Sequence, residues 1–275
     1  MQFKENDLFA NFSTELQRRV NLYSSDGEYE TERVDMNTFI TSPEYMDLGD
    51  DISKANLQLL KHIDNPTIRE AWLILGKGSG KSFNSSIYQC RGVWETCILK
   101  NPQKYSKLAV GTNIYFLNMA TNQIQARDVV FADFIEKLNH SKCFHEVKSV
   151  LDLTDIKGHS VPYYYDTKDR ILFPKNIISV CGHSKSEAWL GYNTKQGILD
   201  EADWFVDNMN KSKAHDIYNS LLGSCKTRFP EHYKIIVITS PKSTESFAVR
   251  QMRDISLNGT RKDFWEDSWK EQDTL

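Results

Sequence analysis

A glycine-rich stretch that ends in Gly-Lys-Ser offers the clearest chemistry in this sequence. The apolar residues 72–75 lead into it, and a helical pattern over residues 83–99 follows it. Glycines let backbone N–H groups turn inward around a phosphate, and the N-terminus of a following helix directs its dipole at the same anion. The pattern therefore predicts a strand, a phosphate-binding loop and a helix. A glycine-rich turn that binds nothing is the alternative interpretation.

The predicted loop departs from the usual pattern at one position. A glycine normally lies five residues before Gly80, where this chain has Leu75. Lys77 lies inside the loop and adds a second cation that can contact phosphate. Lys81 would reach the β- and γ-phosphates of a nucleotide, and Ser82 would offer its hydroxyl to Mg²⁺. The predicted nucleotide-binding residues are Gly76, Lys77, Gly78, Ser79, Gly80, Lys81 and Ser82.

Two adjacent carboxylates form a second candidate site. Asp200 and Glu201 follow the short apolar run 197–199, about 120 positions after the phosphate loop. Because the backbone turns at the end of a strand, both side chains can face one site. The first carboxylate can hold Mg²⁺, and the second can polarise an attacking water as general base. An acidic pair after a strand is common, and its place after a phosphate loop makes it more specific.

A third strand is predicted from a continuous β-branched run over residues 234–241, which is typical of a strand buried on both faces of a parallel sheet. It ends in the hydroxyls of Thr239 and Ser240. Open α/β sheets bind ligands at the carboxyl ends of their central strands, so these hydroxyls could sense a γ-phosphate. An ordinary turn cap is the alternative interpretation.

The overall composition is that of a globular protein whose surface is not made mainly for nucleic acid. The chain has 275 residues, of which 40% are hydrophobic and 26% charged, and its net charge is −3. Any contact with DNA would therefore need a local basic cluster. The five scattered cysteines form no Cys-x-x-Cys pair, which favours reduced, buried thiols. We expect neither a signal peptide nor a membrane-spanning segment.

Between these motifs the periodicity predicts further elements. Residues 121–123 are expected to cap a helix with one apolar face, whereas residues 139–170 have a weak pattern that suggests an insertion or irregular region. The predicted apolar face consists of Val129, Val130, Phe134, Ile135 and Leu138. Other predicted elements are helices over residues 52–63, 215–229 and 245–255, a strand over 114–119 and a hairpin over 171–180.

The three strand ends, taken in order with their spacing, resemble the ATPase domain of the large terminase subunit, the DNA-packaging motor of tailed bacteriophages. Residues 76–82 are similar to that family's variant phosphate loop, residues 198–202 to its Mg²⁺ and catalytic-glutamate strand, and residues 238–241 to its coupling motif. The resemblance covers most of residues 36–270. It implies an α/β fold, a P-loop NTPase of the additional-strand, catalytic-glutamate type, in which helices flank a mostly parallel central sheet.

The resemblance also implies a function. ATP hydrolysis with Mg²⁺ would drive translocation of double-stranded viral DNA into a procapsid, and nuclease activity is not expected from this chain. Lys81 and Lys77 would neutralise charge, and Glu201 would orient water. Thr239 or Ser240 would report the loss of the γ-phosphate. The implied catalytic residues are Glu201, Lys81, Lys77, Thr239 and Ser240, and the implied metal ligands are Ser82 and Asp200.

Partners and domain boundaries follow from the same resemblance. They are double-stranded DNA, a homo-oligomeric ring on the capsid portal and the small terminase subunit, without a membrane, in the host cell cytoplasm during virion assembly. We accordingly expect an N-terminal arm over residues 1–35 that could be mobile and an ATPase domain over residues 36–260. Residues 261–275 would begin a linker to a nuclease domain that this chain lacks.

One departure leaves the arginine finger of some family members without a counterpart. Residues 184–193 contain no arginine, where the family usually has one. The residue that serves instead could be Arg127, Lys185, Lys195, Arg228 or another residue, and the sequence does not decide among them.

Two other functions stay open. One is a helicase-type P-loop ATPase that moves on a single strand, and the other is a nucleotide-dependent structural switch with little turnover.

Overall fold

The computed structural model describes residues 28–76, 78–154, 156–184, 188–206, 212–240, 243, 245–258 and 264–268. The helices are α1 (Met36–Thr41), α2 (Lys54–Ile63), α3 (Lys81–Cys97), α4 (Pro102–Tyr105), α5 (Gln123–Gln125), α6 (Ala132–His140), α7 (Ala214–Arg228) and α8 (Phe247–Asn258). The strands are β1 (Glu70–Ile74), β2 (Ile114–Ala120), β3 (Phe144–Glu146), β4 (Val161–Thr167), β5 (Arg170–Phe173), β6 (Ile177–His183), β7 (Thr194–Asp200), β8 (Lys234–Thr239) and β9 (Phe264–Ser268).

These strands form one sheet in the order β3-β4-β5-β6-β2-β7-β8-β1-β9. The central strands β6, β2, β7, β8, β1 and β9 pair in parallel, whereas β5 is antiparallel to both of its neighbours. Strand β8 lies between β1, which leads into the phosphate loop, and β7, which ends in the two carboxylates. This is the additional strand that the resemblance implies, and the α/β P-loop NTPase fold is confirmed.

Helices cover both faces of the sheet. Consecutive residues of a strand point to opposite faces, and here Gln196 of β7 faces Gly92 of α3, whereas Gly197 faces Leu221 of α7. The indole of Trp72 on β1 packs 5.1 Å from the ring of Tyr218 on α7, centroid to centroid. Strands β1 and β8 are buried along their whole length, as expected of strands with helices on both faces. The carboxyl ends of β1, β7 and β8 therefore meet at one end of the sheet, which we call the carboxyl end, and the opposite end is the amino end.

The segment from residue 121 to residue 140 matches the predicted helix except at one residue. Oδ1 of Asn122 accepts a hydrogen bond from the backbone N–H of Gln125 at 2.9 Å, which confirms the cap. The helix continues through a π-helical segment, Ala126–Phe131, into α6. Because a π-helix adds residues to each turn, Val129 rotates out of the apolar face and is 49% exposed.

The region over residues 139–170 is more regular than the sequence indicates. Residues 161–165, which we expected in an insertion or irregular region, belong to β4, which pairs with β5. The predicted hairpin after it is confirmed as β5 and β6. The tyrosine-rich run of β4 has the aromatic composition that favours strands, but the strand forms because β5 supplies its hydrogen-bond partners.

Both ends of the described chain pack against the domain. Glu30 donates its backbone N–H to the carbonyl of Ile98 at 2.8 Å, so residues 28–35 lie beside the end of α3. Residues 1–27 of the predicted arm lie outside the described residues. Within the predicted linker, β9 pairs in parallel with β1, because the edge of that strand offers unpaired hydrogen-bonding groups. None of the helices in the described part of the chain is long and apolar enough to cross a membrane.

Candidate active site

The phosphate loop joins β1 to α3 and adopts the backbone conformation that its glycines permit. Gly78 and Gly80 have φ angles of 79° and 78°, in the left-handed region that residues with a Cβ seldom adopt. A Cβ on Gly80 would also lie 3.1 Å from Nδ2 of Asn56 on α2. Gly80 is the N-cap of α3 and has no side chain to cap the first turn. The N–H groups of that turn are therefore disposed to bind an anion, so the loop fits a nucleotide phosphate.

The ammonium group of Lys81 connects the phosphate loop with the end of β8. Its Nζ atom donates to the carbonyl oxygens of Leu75 and Gly76, both at 3.0 Å, and to Oγ of Ser240 at 2.9 Å. Two of the three predicted strand ends thus meet at one side chain. Ser79 stabilises the loop by donating to the carbonyl of Gly76 at 2.9 Å. Lys77, the predicted second cation, lies outside the described residues.

Asp200 is a buried carboxylate at the end of β7, where 4% of it is exposed. Burial, followed by the charge of Glu201, raises the pKa of Asp200 to about 7, whereas Lys81 acts in the opposite direction. A cation bound to this carboxylate would supply the counter-charge that favours its ionised form. Ser82 lies in the first turn of α3, beside Lys81. A carboxylate and a hydroxyl oxygen are ligands that Mg²⁺ prefers, so the residues present fit this ion.

Glu201 reaches across to the end of β8. Its Oε2 atom accepts a hydrogen bond from the backbone N–H of Ser240 at 3.1 Å. Its φ angle of 54° places it in the left-handed region, which for a residue other than glycine is unfavourable by about 1–3 kcal/mol. This turn directs Glu201 away from the line of β7, so that the third predicted strand end joins the other two.

The structure adds one residue to which the sequence analysis gave no role. Asp203 donates its backbone N–H to Oγ1 of Thr239 at 3.3 Å, and its Oδ1 accepts the backbone N–H of Ala248 at 2.8 Å. Asp203 is buried and so links the end of β8 to the start of α8. Its position two residues after Glu201 was a signal for it, but its partner lies 45 residues away along the chain.

Three of the four candidates named for an arginine finger lie in the described part of the chain, at different ends of the sheet. Lys195 lies near the amino end of β7 and donates to Oγ1 of Thr96 at 2.8 Å, and Arg228 ends α7, which runs back to that same end. Neither of them lies near the phosphate loop. Arg127 lies at the carboxyl end in the π-helical segment, where Asp128 pairs with it. Lys185 lies outside the described residues.

Comparison with known proteins identifies the family. The model for the N-terminal P-loop domain of the uncharacterized protein MJ0330 matches residues 9–271. The chain belongs to this family. It is 27% identical over 195 residues to the uncharacterized protein MJ0330 of Methanocaldococcus jannaschii, a match that covers 70% of this chain and 32% of that protein. Membership makes the chain a P-loop domain and implies nucleotide binding.

A solved structure has the same fold. The large terminase of bacteriophage HK97 superposes with a TM-score of 0.53 at 12% identity, over 80% of this P-loop domain and 39% of the terminase chain. The P-loop domain therefore spans about a third of its curated relative and about two fifths of the terminase. At this identity the likeness concerns the fold.

Proposed function

We propose that this P-loop domain is a Mg²⁺-dependent ATPase whose hydrolysis drives the translocation of double-stranded DNA, as the motor part of a terminase-like packaging protein. The convergence of the three strand ends on Ser240 supports the proposal most directly. Its Oγ accepts from Lys81 and its backbone N–H donates to Glu201. A residue that contacts both the phosphate-binding lysine and the candidate base is placed to detect the state of the γ-phosphate.

Each residue of the site has a definite part in hydrolysis. Backbone N–H groups of residues 78–80 bind the phosphates, and Lys81 neutralises their charge, with Lys77 as a second cation. Ser82 and Asp200 would hold Mg²⁺, which when bound offsets the charge that develops on the phosphate oxygens. Glu201 orients the attacking water and accepts its proton.

The contacts of Lys81 suggest how binding is reported. In this structure its ammonium group is held by the carbonyls of Leu75 and Gly76 and by Ser240. A nucleotide phosphate that takes over this ammonium group releases the hydroxyl of Ser240. Because Asp203 joins Thr239 to the first turn of α8, a shift at the end of β8 reaches that helix directly. We infer that α8 carries the signal to the part that grips DNA.

The first test is steady-state phosphate release from ATP with Mg²⁺ over a range of protein concentrations, with and without double-stranded DNA. We expect turnover that rises more than linearly with protein concentration, because a neighbour in a ring would complete the site, and that increases with DNA. Of the candidates in the described part of the chain, Arg127 is the one at the carboxyl end, so it is tested as the completing residue. Arg127→Ala should remove the more-than-linear part, whereas Arg228→Ala at the amino end should not.

The same experiment separates the other functions. Turnover strictly linear in protein would mean that the site is self-sufficient and would overturn the ring. Strand separation that depends on ATP would favour a helicase-type ATPase. Tight ATP binding without turnover at any concentration would favour a structural switch. DNA contacts of a motor that ignores sequence should be made to phosphates, so binding should weaken steeply with salt.

The wider setting belongs to the same proposal. We propose a homo-oligomeric ring on a capsid portal, with a small terminase subunit as partner, acting in the host cell cytoplasm during virion assembly. Co-sedimentation of the chain with portal and small subunit, compared with Lys81→Ala and native protein, tests this assembly directly. Failure to assemble with either partner would count against the packaging role and leave the ATPase intact.

A further inference from the structure

The amino end of the sheet contains a second polar site, which the nucleotide-binding loop does not use. A cavity of about 420 Å³ lies beside α2, α3 and the first residues of β7 and β8. Charged side chains from five separate segments of the chain line it. They are Arg33, Asp64, Glu95, Lys195 and Lys234. Removing each of these charges from water is unfavourable unless a partner compensates it, so the partners of each group decide how well it is stabilised.

Three cations and three carboxylates line this cavity, and arginines hold the two buried carboxylates. Glu95 pairs with Arg33 and lies 3.8 Å from Nη2 of Arg91, whereas Asp64 lies 3.7 Å from Nε of the same arginine. The two carboxylates are thus shared between two arginines. Within the described part of the chain, the remaining acidic residue at the cavity is Glu231, which is exposed at the mouth and pairs with Lys107.

The hydrogen-bond partners of the two lysines are neutral. Lys234 donates to the carbonyl oxygens of Ile63 at 2.7 Å, Asn65 at 3.3 Å and Ile68, and Lys195 donates to the hydroxyl of Thr96. None of these four partners carries a charge. Burial lowers the pKa of Lys195 to about 8 and that of Lys234 to about 7, although nearby carboxylates act in the opposite direction. An anion in the cavity would offset this loss of hydration.

Gln196 supplies an unsatisfied donor at the same place. It is 3% exposed and lines the cavity, and its Nε2 atom has no hydrogen-bond partner among the described residues. A glycine in α3 makes room for it, since a Cβ on Gly92 would overlap Oε1 of Gln196. Glycine inside a helix is less favourable than alanine by about 1 kcal/mol, and a buried donor without an acceptor is rare. Both features fit a ligand that accepts hydrogen bonds.

A break in strand pairing turns the lysine toward this donor. Tyr115 pairs with Thr194 and Phe116 pairs with Gln196, so Lys195 is the extra residue of a β-bulge. Consecutive strand residues normally point to opposite faces, whereas a bulge changes the direction of a side chain. Lys195 and Gln196 consequently line one cavity although they are neighbours in β7.

A basic groove leads to the cavity. It has a volume of about 550 Å³, and Tyr105, Glu231 and His232 line both spaces. Its other walls include three lysines and one acidic residue. They are Lys100, Lys104, Lys107 and Glu28. Clustered cations raise the local concentration of anions, so the approach and the cavity favour the same sign of ligand.

We propose that this cavity is a binding site for a small phosphate-bearing anion, separate from the nucleotide site at the carboxyl end. Phosphate presents acceptor oxygens in a tetrahedral arrangement. It can therefore meet several donors at once, here Lys195 and Gln196 of β7, while Lys234, whose N–H groups donate to three carbonyl oxygens, contributes its charge. A carboxylate presents only two oxygens in one plane and fits this set less well.

The test uses pyrophosphate as the probe and calorimetric titration as the measurement. Because the phosphate loop would also bind pyrophosphate, the titrations are made in the full chain carrying Lys81→Ala. We expect one saturable site, with affinity at least about tenfold weaker in Gln196→Leu and in Lys195→Met. Lys54→Met, which changes an exposed lysine on α2, should leave the affinity unchanged.

Two test variants are used so that at least one folded protein is available for the binding measurement. Gln196→Leu removes a buried Nε2 donor that has no partner among the described residues and should fold about as stably as the parent. If Lys195→Met fails to fold, Gln196→Leu alone answers the question. No saturable binding in the Lys81→Ala protein would overturn the proposal, as would equal affinity in Gln196→Leu and Lys54→Met. In either case the ion pairs of Arg33, Arg91, Asp64 and Glu95 would serve only to hold residues 28–35 against the domain.

Discussion

The two ends of the central sheet show the same physical effect with opposite signs. At the carboxyl end the surplus buried charge is a carboxylate, Asp200, whose pKa burial raises to about 7. At the amino end it is a pair of lysines, Lys195 and Lys234, whose pKa values burial lowers to about 8 and about 7. Burial disfavours the charged form of every ionisable group. A cation at the carboxyl end and an anion at the amino end would each favour the charged forms there. The comparison is consistent with the cation site and the anion site that we propose at the two ends.

The largest expected effect is on ATP turnover, which should depend on the carboxyl end of the sheet and not on the amino end. Glu201→Gln keeps the shape of the side chain but removes the general base, so ATP turnover should fall by about 10²–10⁴-fold while ATP affinity changes little. Glu231→Gln is the matched change at the amino end and should keep native turnover. Steady-state phosphate release and nucleotide titration measure both. Native turnover in Glu201→Gln would end the assignment of this residue.

The next effect tests the sign of the buried charge at the carboxyl end. The folded pKa of Asp200, about 7, exceeds the unfolded value of about 3.9. Its protonated form therefore adds stability that is fully present below about pH 4 and lost as the pH rises to about 7. The loss amounts to at most about 4 kcal/mol.

Asp200→Asn should abolish this loss, so the variant should be more stable than the native protein at pH 8 without Mg²⁺ and nucleotide. Urea denaturation at pH 5 and pH 8 in the presence of a chelator measures the difference. Asp50→Asn, an exposed position, is the control. The same pH dependence in native protein and Asp200→Asn would mean that this carboxylate is not the group that responds.

A smaller effect concerns the connection from the carboxyl end to α8. Asp203→Ala leaves the buried N–H of Ala248 without its acceptor, which should lower the free energy of unfolding by about 1–3 kcal/mol. Hydrogen exchange at the start of α8 should accelerate in the variant, because that N–H becomes free. Asp50→Ala should change neither quantity. Unaltered exchange at Ala248 would show that α8 does not depend on this contact.

The smallest effect concerns the glycine that makes room at the amino end. A methyl group at Gly92 would overlap Gln196 and lie 2.9 Å from Cε1 of Phe116, so Gly92→Ala should be destabilising by about 1 kcal/mol despite the better helix propensity. Gly223→Ala on α7 meets nothing within 4 Å and should be stabilising by a similar amount. Urea denaturation compares them. Stabilisation by both substitutions would remove the argument that Gln196 requires the glycine.

The residues of the carboxyl end could be predicted because each lies in a contiguous motif. Gly80, Lys81, Asp200 and Glu201 stand at the ends of strands that their own composition indicates, and parallel strands bring those ends together. The fold class followed from the same pattern. Nothing in the structure tests the roles of these residues, which stay predictions.

Other features depend on neighbours far away in the chain. Residues 161–165 form a strand because β5 pairs with them, and Val129 is exposed because a π-helical segment changes the helical phase. Asp203 acquired a role only through Ala248, a residue in another element. Local patterns do not contain such information.

By itself the sequence determined the phosphate loop, the acidic pair and the order of the elements that carry them, because short-range spacing governs turns and strand ends. Only the tertiary structure decided that Lys195, Gln196 and Lys234 line one cavity with Arg33 and Asp64. The physical reason is that burial depends on which strands become neighbours and on where a bulge turns a side chain. Each of these charges is ordinary in the sequence and becomes chemically significant only when folding removes its water.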